Sequence, residues 1–161
     1  IKLIEIFIDA EMKMFKGVDT PVIFIQNVIV DLVLGLKMFE IFREYDKYIR
    51  KKYNAEPGYI TMNMPVLLDA LNSVGIENPI ICSSINKTGF RMSGGKEQYE
   101  KYLKEKNFRP IAMQVLAAGA LRPKEAIEYL GNFPKIESVL FGASSKAHIQ
   151  ETKELIESIM K

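Results

Sequence analysis

The chain has 161 residues, 48% of them hydrophobic, enough for one cored domain and short for two. Lys and Arg number 22 against 20 Asp and Glu, with the signs interspersed, so no concentrated basic face is expected for a nucleic acid. Cys82 is the only cysteine, which excludes an internal disulfide and fits a reducing compartment, with the cytoplasm as the expected location.

The chain opens on residues 1–6, where apolar and charged positions alternate; a basic leader and a small-residue cleavage site are missing, so this is not read as a signal peptide. The same alternation predicts a first strand over residues 3–8. The most apolar stretch, residues 18–38, is interrupted by Asp19, Gln26, Asn27 and Asp31, which argues against a membrane span. Within it, residues 22–26 predict a second strand. Leu32, Leu36, Phe39, Phe42, Tyr45 and Ile49 then recur at three- or four-residue steps, predicting one long amphipathic helix to about Lys52.

Further strands are predicted at 59–62, 79–83, 110–115 and 138–141, each followed by a helical pattern with its own start signal. Asn63-Met64-Pro65 caps a helix that should stop near Gly75, and Ser93-Gly94-Gly95 opens another through Lys106. Arg122-Pro123 starts a short helix ending around Gly131, and Ser144 or Ser145 caps the last one through Met160. Six strands alternating with helices predict an α/β protein, a parallel β/α barrel of TIM-barrel type that is partial, with about six of eight strands. An open doubly wound sheet has the same periodicity, but no Gly-x-Gly-x-x-Gly turn follows any strand. Unpaired edges invite association, so strands upstream of Ile1 or another subunit, a homo-oligomer included, are expected to cover them.

In such a barrel the functional residues follow the strands. Asp9 and Glu11 lie two apart, on one side of a continuing strand, with Asp9 the candidate for catalysis or substrate orientation. Lys87, after Cys82-Ser83-Ser84-Ile85-Asn86, would reach a carbonyl or an anionic substrate and, if desolvated, form a Schiff base. Arg91 is a candidate anion contact from a loop, and Cys82 a small core residue. Gly142-Ala143-Ser144-Ser145-Lys146 runs into a helix start whose amides, hydroxyls and dipole suit a phosphate. The pair of carboxylates alone is too few ligands for a metal.

From about Val18 to Ile159 the chain resembles the aldo-keto reductases. Tyr59-Ile60-Thr61-Met62-Asn63 resembles the family strand that ends in a Ser-Asn pair, and Pro79 to Asn86 the strand after it. Tyr102 to Met113 is similar to the family's helix, turn and strand leading to a small-residue loop, here Leu116-Ala117-Ala118-Gly119. Gly142 to Ser145, with His148-Ile149-Gln150-Glu151-Thr152, is similar to its nucleotide-phosphate loop and adenine-side helix. The resemblance implies NADP(H) across the barrel mouth and reduction of a small carbonyl compound. It implies that Asn63 holds the nicotinamide carboxamide, that Ser144, Ser145 and His148 contact the adenosine phosphate, and that Glu151 lies near the adenine. Where the family's catalytic His ends its strand, this chain has Gln26, which can donate a hydrogen bond but not a proton. The family's Asp, Tyr and Lys belong to earlier strands. Two other readings stand beside this one: a barrel lyase or isomerase using Asp9, Glu11 and Lys87 on a phosphorylated or carboxylated substrate, and a non-catalytic partial barrel that assembles with another chain.

Overall fold

The computed structural model describes residues 2–160. Five strands, β1 (Val22–Ile25), β2 (Glu56–Thr61), β3 (Ile80–Ser84), β4 (Arg109–Met113) and β5 (Ser138–Val139), form one sheet in that spatial order. Every neighbouring pair is parallel. The helices are α1 (Lys2–Met12), α2 (Asn27–Gly35), α3 (Glu40–Tyr53), α4 (Met64–Ser73), α5 (Lys96–Glu105), α6 (Pro123–Leu130) and α7 (Lys146–Ile159). Among the described residues, no helix is long and apolar enough to cross a membrane.

Two expectations are corrected. Residues 3–8 form no strand but belong to α1. Their short apolar run satisfies a helical period as well as an alternating one: Ile4, Ile8 and Met12, four apart, are half-buried apolar positions, while Ile6 and Phe7 are exposed. The long helix expected to Lys52 is broken into α2 and α3. Lys37 adopts φ 55°, and the Met38 amide donates back to the Val33 carbonyl at 3.1 Å, the six-residue closure that ends a helix.

Parallel pairing makes aligned residues share a face, so the register sorts the side chains. Tyr59 aligns with Ile81 and Ile81 with Pro110, and Ala112, two residues on, shares their face; Tyr59, Ile81 and Ala112 lie in the main core, where Tyr59 meets Phe42 and Tyr45 of α3 edge to face at 5.8 and 5.6 Å. The Tyr45 hydroxyl donates to the Ile23 carbonyl at 2.6 Å, tying α3 to β1. The opposite face carries Phe24, Gly58, Ile60, Cys82, Ile111 and Met113, of which Phe24, Ile60, Ile111 and Met113 are only half-buried. Cys82 on this face is buried, and burial pushes its thiol up to about 11, the behaviour of a packed side chain rather than a nucleophile. At the amino ends, Arg109 donates to Glu56 at 2.9 Å and to Glu137 at 3.1 Å, linking β2 and β4 across the intervening β3.

Gly58 exists for Phe24. A Cβ at position 58 would meet the Phe24 ring at 2.5 Å, inside any real contact. Gly58→Ala is therefore expected to cost about 1–3 kcal/mol through displacement of that ring. Urea unfolding of the variant checks it; an unchanged midpoint would show that Phe24 swings away freely.

Candidate functional site

The carboxyl ends of β3, β4 and β5 surround a depression of about 410 Å³ lined by Phe90, Arg91, Gln114, Leu116, Ala118 and Gly142 among others. Arg91 is the only formally charged side chain in that lining. Its guanidinium stands 5.3 Å from the Phe90 ring centroid. The walls are held from below by a buried polar floor. Ser84, fully buried, donates to the Gln114 side-chain oxygen at 2.6 Å. Asn86, equally buried, donates to the Phe90 carbonyl at 2.9 Å and accepts from the Phe90 amide at 2.8 Å and the Thr88 hydroxyl at 3.0 Å. One asparagine thus shapes the turn that carries Phe90 and Arg91.

Backbone strain gathers around this depression. Arg91, Gln114, Ala117 and Ala118 have φ of 53°, 54°, 47° and 56°, a region that costs non-glycine residues energy. Such conformations persist only where surrounding bonds enforce them, and they concentrate at sites that bind or react.

Phe141 and Gly142 run from this lining to the start of α7. There Ser145 accepts from the His148 amide at 3.2 Å as a helix cap, and the Ser144 hydroxyl sits 3.3 Å from His148 Nδ1. Ser144, Ser145, His148 and Glu151 are all exposed, and the cap expected from the sequence is present. Asn63 follows β2 and precedes α4, where its side chain makes no capping bond and its Oδ1 is buried without a partner. It lines a separate depression of about 330 Å³ with Asp31 and Ser93. The Asn63 amide donates to the Thr61 hydroxyl at 2.8 Å, which donates to Asp31 at 2.5 Å. Asn63 and the serines thus share the carboxyl end of the sheet but not one cavity.

The remaining candidates lie elsewhere. Asp9 is corrected: it sits on a helix rather than past a strand, and it accepts from Tyr48 at 2.6 Å, from Tyr53 at 2.5 Å and from Lys52. Tyr53 ends α3 just before β2 begins, so this cluster belongs to the amino end of the sheet, opposite the depression. The hydrogen bond from Lys52 first, then those from the two tyrosines, hold the Asp9 carboxyl down to about 2. Glu11 is exposed, and the described residues contain no group of three or more potential metal ligands of the His, Cys, Asp and Glu type. Gln26 is exposed at the start of α2 without a capping bond and lines a groove against α1. Lys87 is half exposed and paired with Glu125 at 2.6 Å, which is not the desolvated setting a Schiff base requires.

Sequence reasoning missed Asp31 and the organising role of Asn86. Their partners lie 30 residues away for Asp31 and on the folded-back turn for Asn86, so no local spacing announces them. Compared with protein-family models, with curated proteins and with solved structures, the chain finds no match.

Proposed function

We propose that this chain is the nucleotide-holding part of a β/α barrel that binds NADP(H) and serves the reduction of a small carbonyl compound. The observation that supports this most is the depression at the carboxyl ends of β3, β4 and β5: one guanidinium, no carboxylate, strained backbone, and a helix whose serine cap, Ser145, lies three residues beyond Gly142. A phosphate-bearing group fits that set, because Arg91 supplies charge-assisted donors and the α7 amides a positive dipole end. The unpartnered Asn63 oxygen suits an N–H donor such as a carboxamide. NADP(H), when bound, would supply the hydride. The chain's own residues would hold and orient it: Arg91, Ser144 and Ser145 on phosphate, His148 and Glu151 towards the adenosine, Asn63 on the nicotinamide side. Gln26 would donate a hydrogen bond at most, so the proton for the substrate would come from another group.

The barrel itself is part of this reading. The strand order is sequential, and with the right-handed crossovers general to parallel strands such an order would send the helices to one face, as a barrel requires and a doubly wound sheet does not. The half-buried second face and the Arg109 bridge across β3 agree with a curled sheet. Eight strands would be reached with three more, from further polypeptide or from a second chain. The free edges of β1 and β5 favour that assembly reading.

Nicotinamide fluorescence titration and thermal melting test the proposal. NADPH is expected to raise the melting temperature by mass action, and Arg91→Ala to weaken binding roughly tenfold, the worth of one charge-assisted hydrogen bond. A melting curve unmoved by millimolar NADPH and NADP+ would sink it.

A further inference from the structure

The two depressions at the carboxyl end of the sheet differ in charge. The one at β3, β4 and β5 holds Arg91 as its sole formal charge, whereas the one of about 330 Å³ beyond β2 holds only Asp31. Asp31 lies on α2, is half-buried, and forms no ion pair with a Lys, Arg or His among the described residues. The carboxylate is nonetheless fixed. One oxygen accepts from the fully buried Thr61 hydroxyl at 2.5 Å and the other from the Met62 amide at 3.2 Å. A carboxylate oxygen can accept twice, so each keeps a lone pair for a further donor.

What this depression offers is acceptors. The start of α4 borders it, but the amides there are already used: Met62 donates to Asp31, Asn63 to the Thr61 hydroxyl, and Met64 to the Tyr99 hydroxyl at 3.0 Å. Ser93, on the loop after β3, likewise spends its amide on the Met62 carbonyl at 3.0 Å. The Asn63 Oδ1 is buried and accepts from nothing. A pinned carboxylate and an unpartnered amide oxygen thus line one hollow and both suit N–H donors, while an anion would find no cation in the lining. Leu34, Met62 and Val66 supply the apolar part of the wall. The volume lies at the low end of the range of about 300–1,000 Å³ usual for small-molecule pockets.

We propose that this depression seats the primary ammonium group of a small alkyl amine, with Asp31 as its counter-charge and Asn63 as a second acceptor. An ammonium brings three donors and no acceptor, the complement of this lining. Attraction to Asp31 is stronger here than on open surface, because the carboxylate is half-buried beside apolar side chains. Resting on the reductase reading, the carbonyl compound is then one that carries such an ammonium; Asn63 stands on the nicotinamide side of that reading, and its oxygen has two lone pairs to share.

Amide NMR on the whole chain, without cofactor, tests the seat. n-Butylammonium chloride is expected to give saturable shifts at the backbone amides of Met62 and Asn63, and n-butanol and potassium chloride at the same concentrations are expected to give none. Asp31→Asn should weaken binding at least about tenfold, the loss of one charge-assisted contact. Val66→Lys leaves the bonds of Asp31 untouched and places a like charge at a lining position that is 45% exposed. It should weaken binding as much, and it serves should the Asn variant fold poorly. Absent shifts, equal shifts from potassium or butanol, or unchanged affinity in both variants would overturn the seat. A separate NADPH titration tells the two readings apart. Butylammonium bound by a chain that ignores NADPH supports the amine seat and removes the reductase, whereas NADPH bound without any response to butylammonium removes the amine seat alone.

Discussion

Replacing Phe42 by Ala is expected to remove about 3–5 kcal/mol of stability, the range for emptying a buried aromatic site. Phe42 is fully buried, and its ring meets the Tyr59 edge at 88°, with Tyr45 closing on the same tyrosine. Three aromatic residues from two elements thus form the joint between α3 and the second strand of the sheet, and their neighbours include fully buried Ile49. Close-packed surroundings relax only in part, so the cavity term adds to the lost transfer energy. Domains of this size are stable by about 5–15 kcal/mol, so the variant should populate unfolded chain at modest urea. The measurement is the urea midpoint at unchanged slope. Leu36→Ala, at a position 59% exposed, is the matched control and should move the midpoint little. A Phe42 variant that unfolds at the wild-type midpoint would mean that the α3 seam is not a stabilising part of the core.

The second large effect is expected at Asn86. Asn86→Ala removes a buried amide that satisfies both backbone groups of Phe90 and the Thr88 hydroxyl. Each polar group left unpaired costs about 1–3 kcal/mol if it stays out of water. The turn can escape this cost by opening to solvent, and that escape would alter the depression. Phe90 and Arg91 would leave the wall of the depression, and the φ of 53° at Arg91 would no longer be enforced. On the proposed reading of the depression as an NADPH site, affinity should then fall at least as far as in Arg91→Ala, about tenfold or more, although Asn86 itself is not in the lining. Asn86→Asp distinguishes the roles. It keeps an acceptor for the Phe90 amide and loses the donor to the Phe90 carbonyl, so binding should lie between wild type and the Ala variant. Equal affinity in all three proteins would show that the turn has no part in the site.

Much of the fold was legible in the chain because its signals are local. Four of the five strands were predicted within a few residues, and the fifth, β5, was expected longer than its two residues. Ser145 and the Pro123 start also followed from short-range rules, since a cap needs only an amide two or three residues away. Residues 3–8 failed for the opposite reason. Six apolar and charged positions fit either period, and only the packing of Ile8 against the core decides for the helix. The break at Lys37 was hidden as well, because the apolar spacing continues across it from Leu32 to Phe42 while the backbone does not.

The sequence by itself determined the parallel α/β alternation, the lack of a disulfide within these residues, and the hydroxyl-rich start of the last helix. Tertiary structure alone decided which side chains meet. It moved Asp9 to the amino end of the sheet among Tyr48, Lys52 and Tyr53, paired Lys87 with Glu125, and put Asn86 under Phe90 and Arg91. The physical reason is range: propensity and capping act over one helical turn, whereas a carboxylate chooses its donors, and a buried amide its partners, from residues that only the packed sheet brings together.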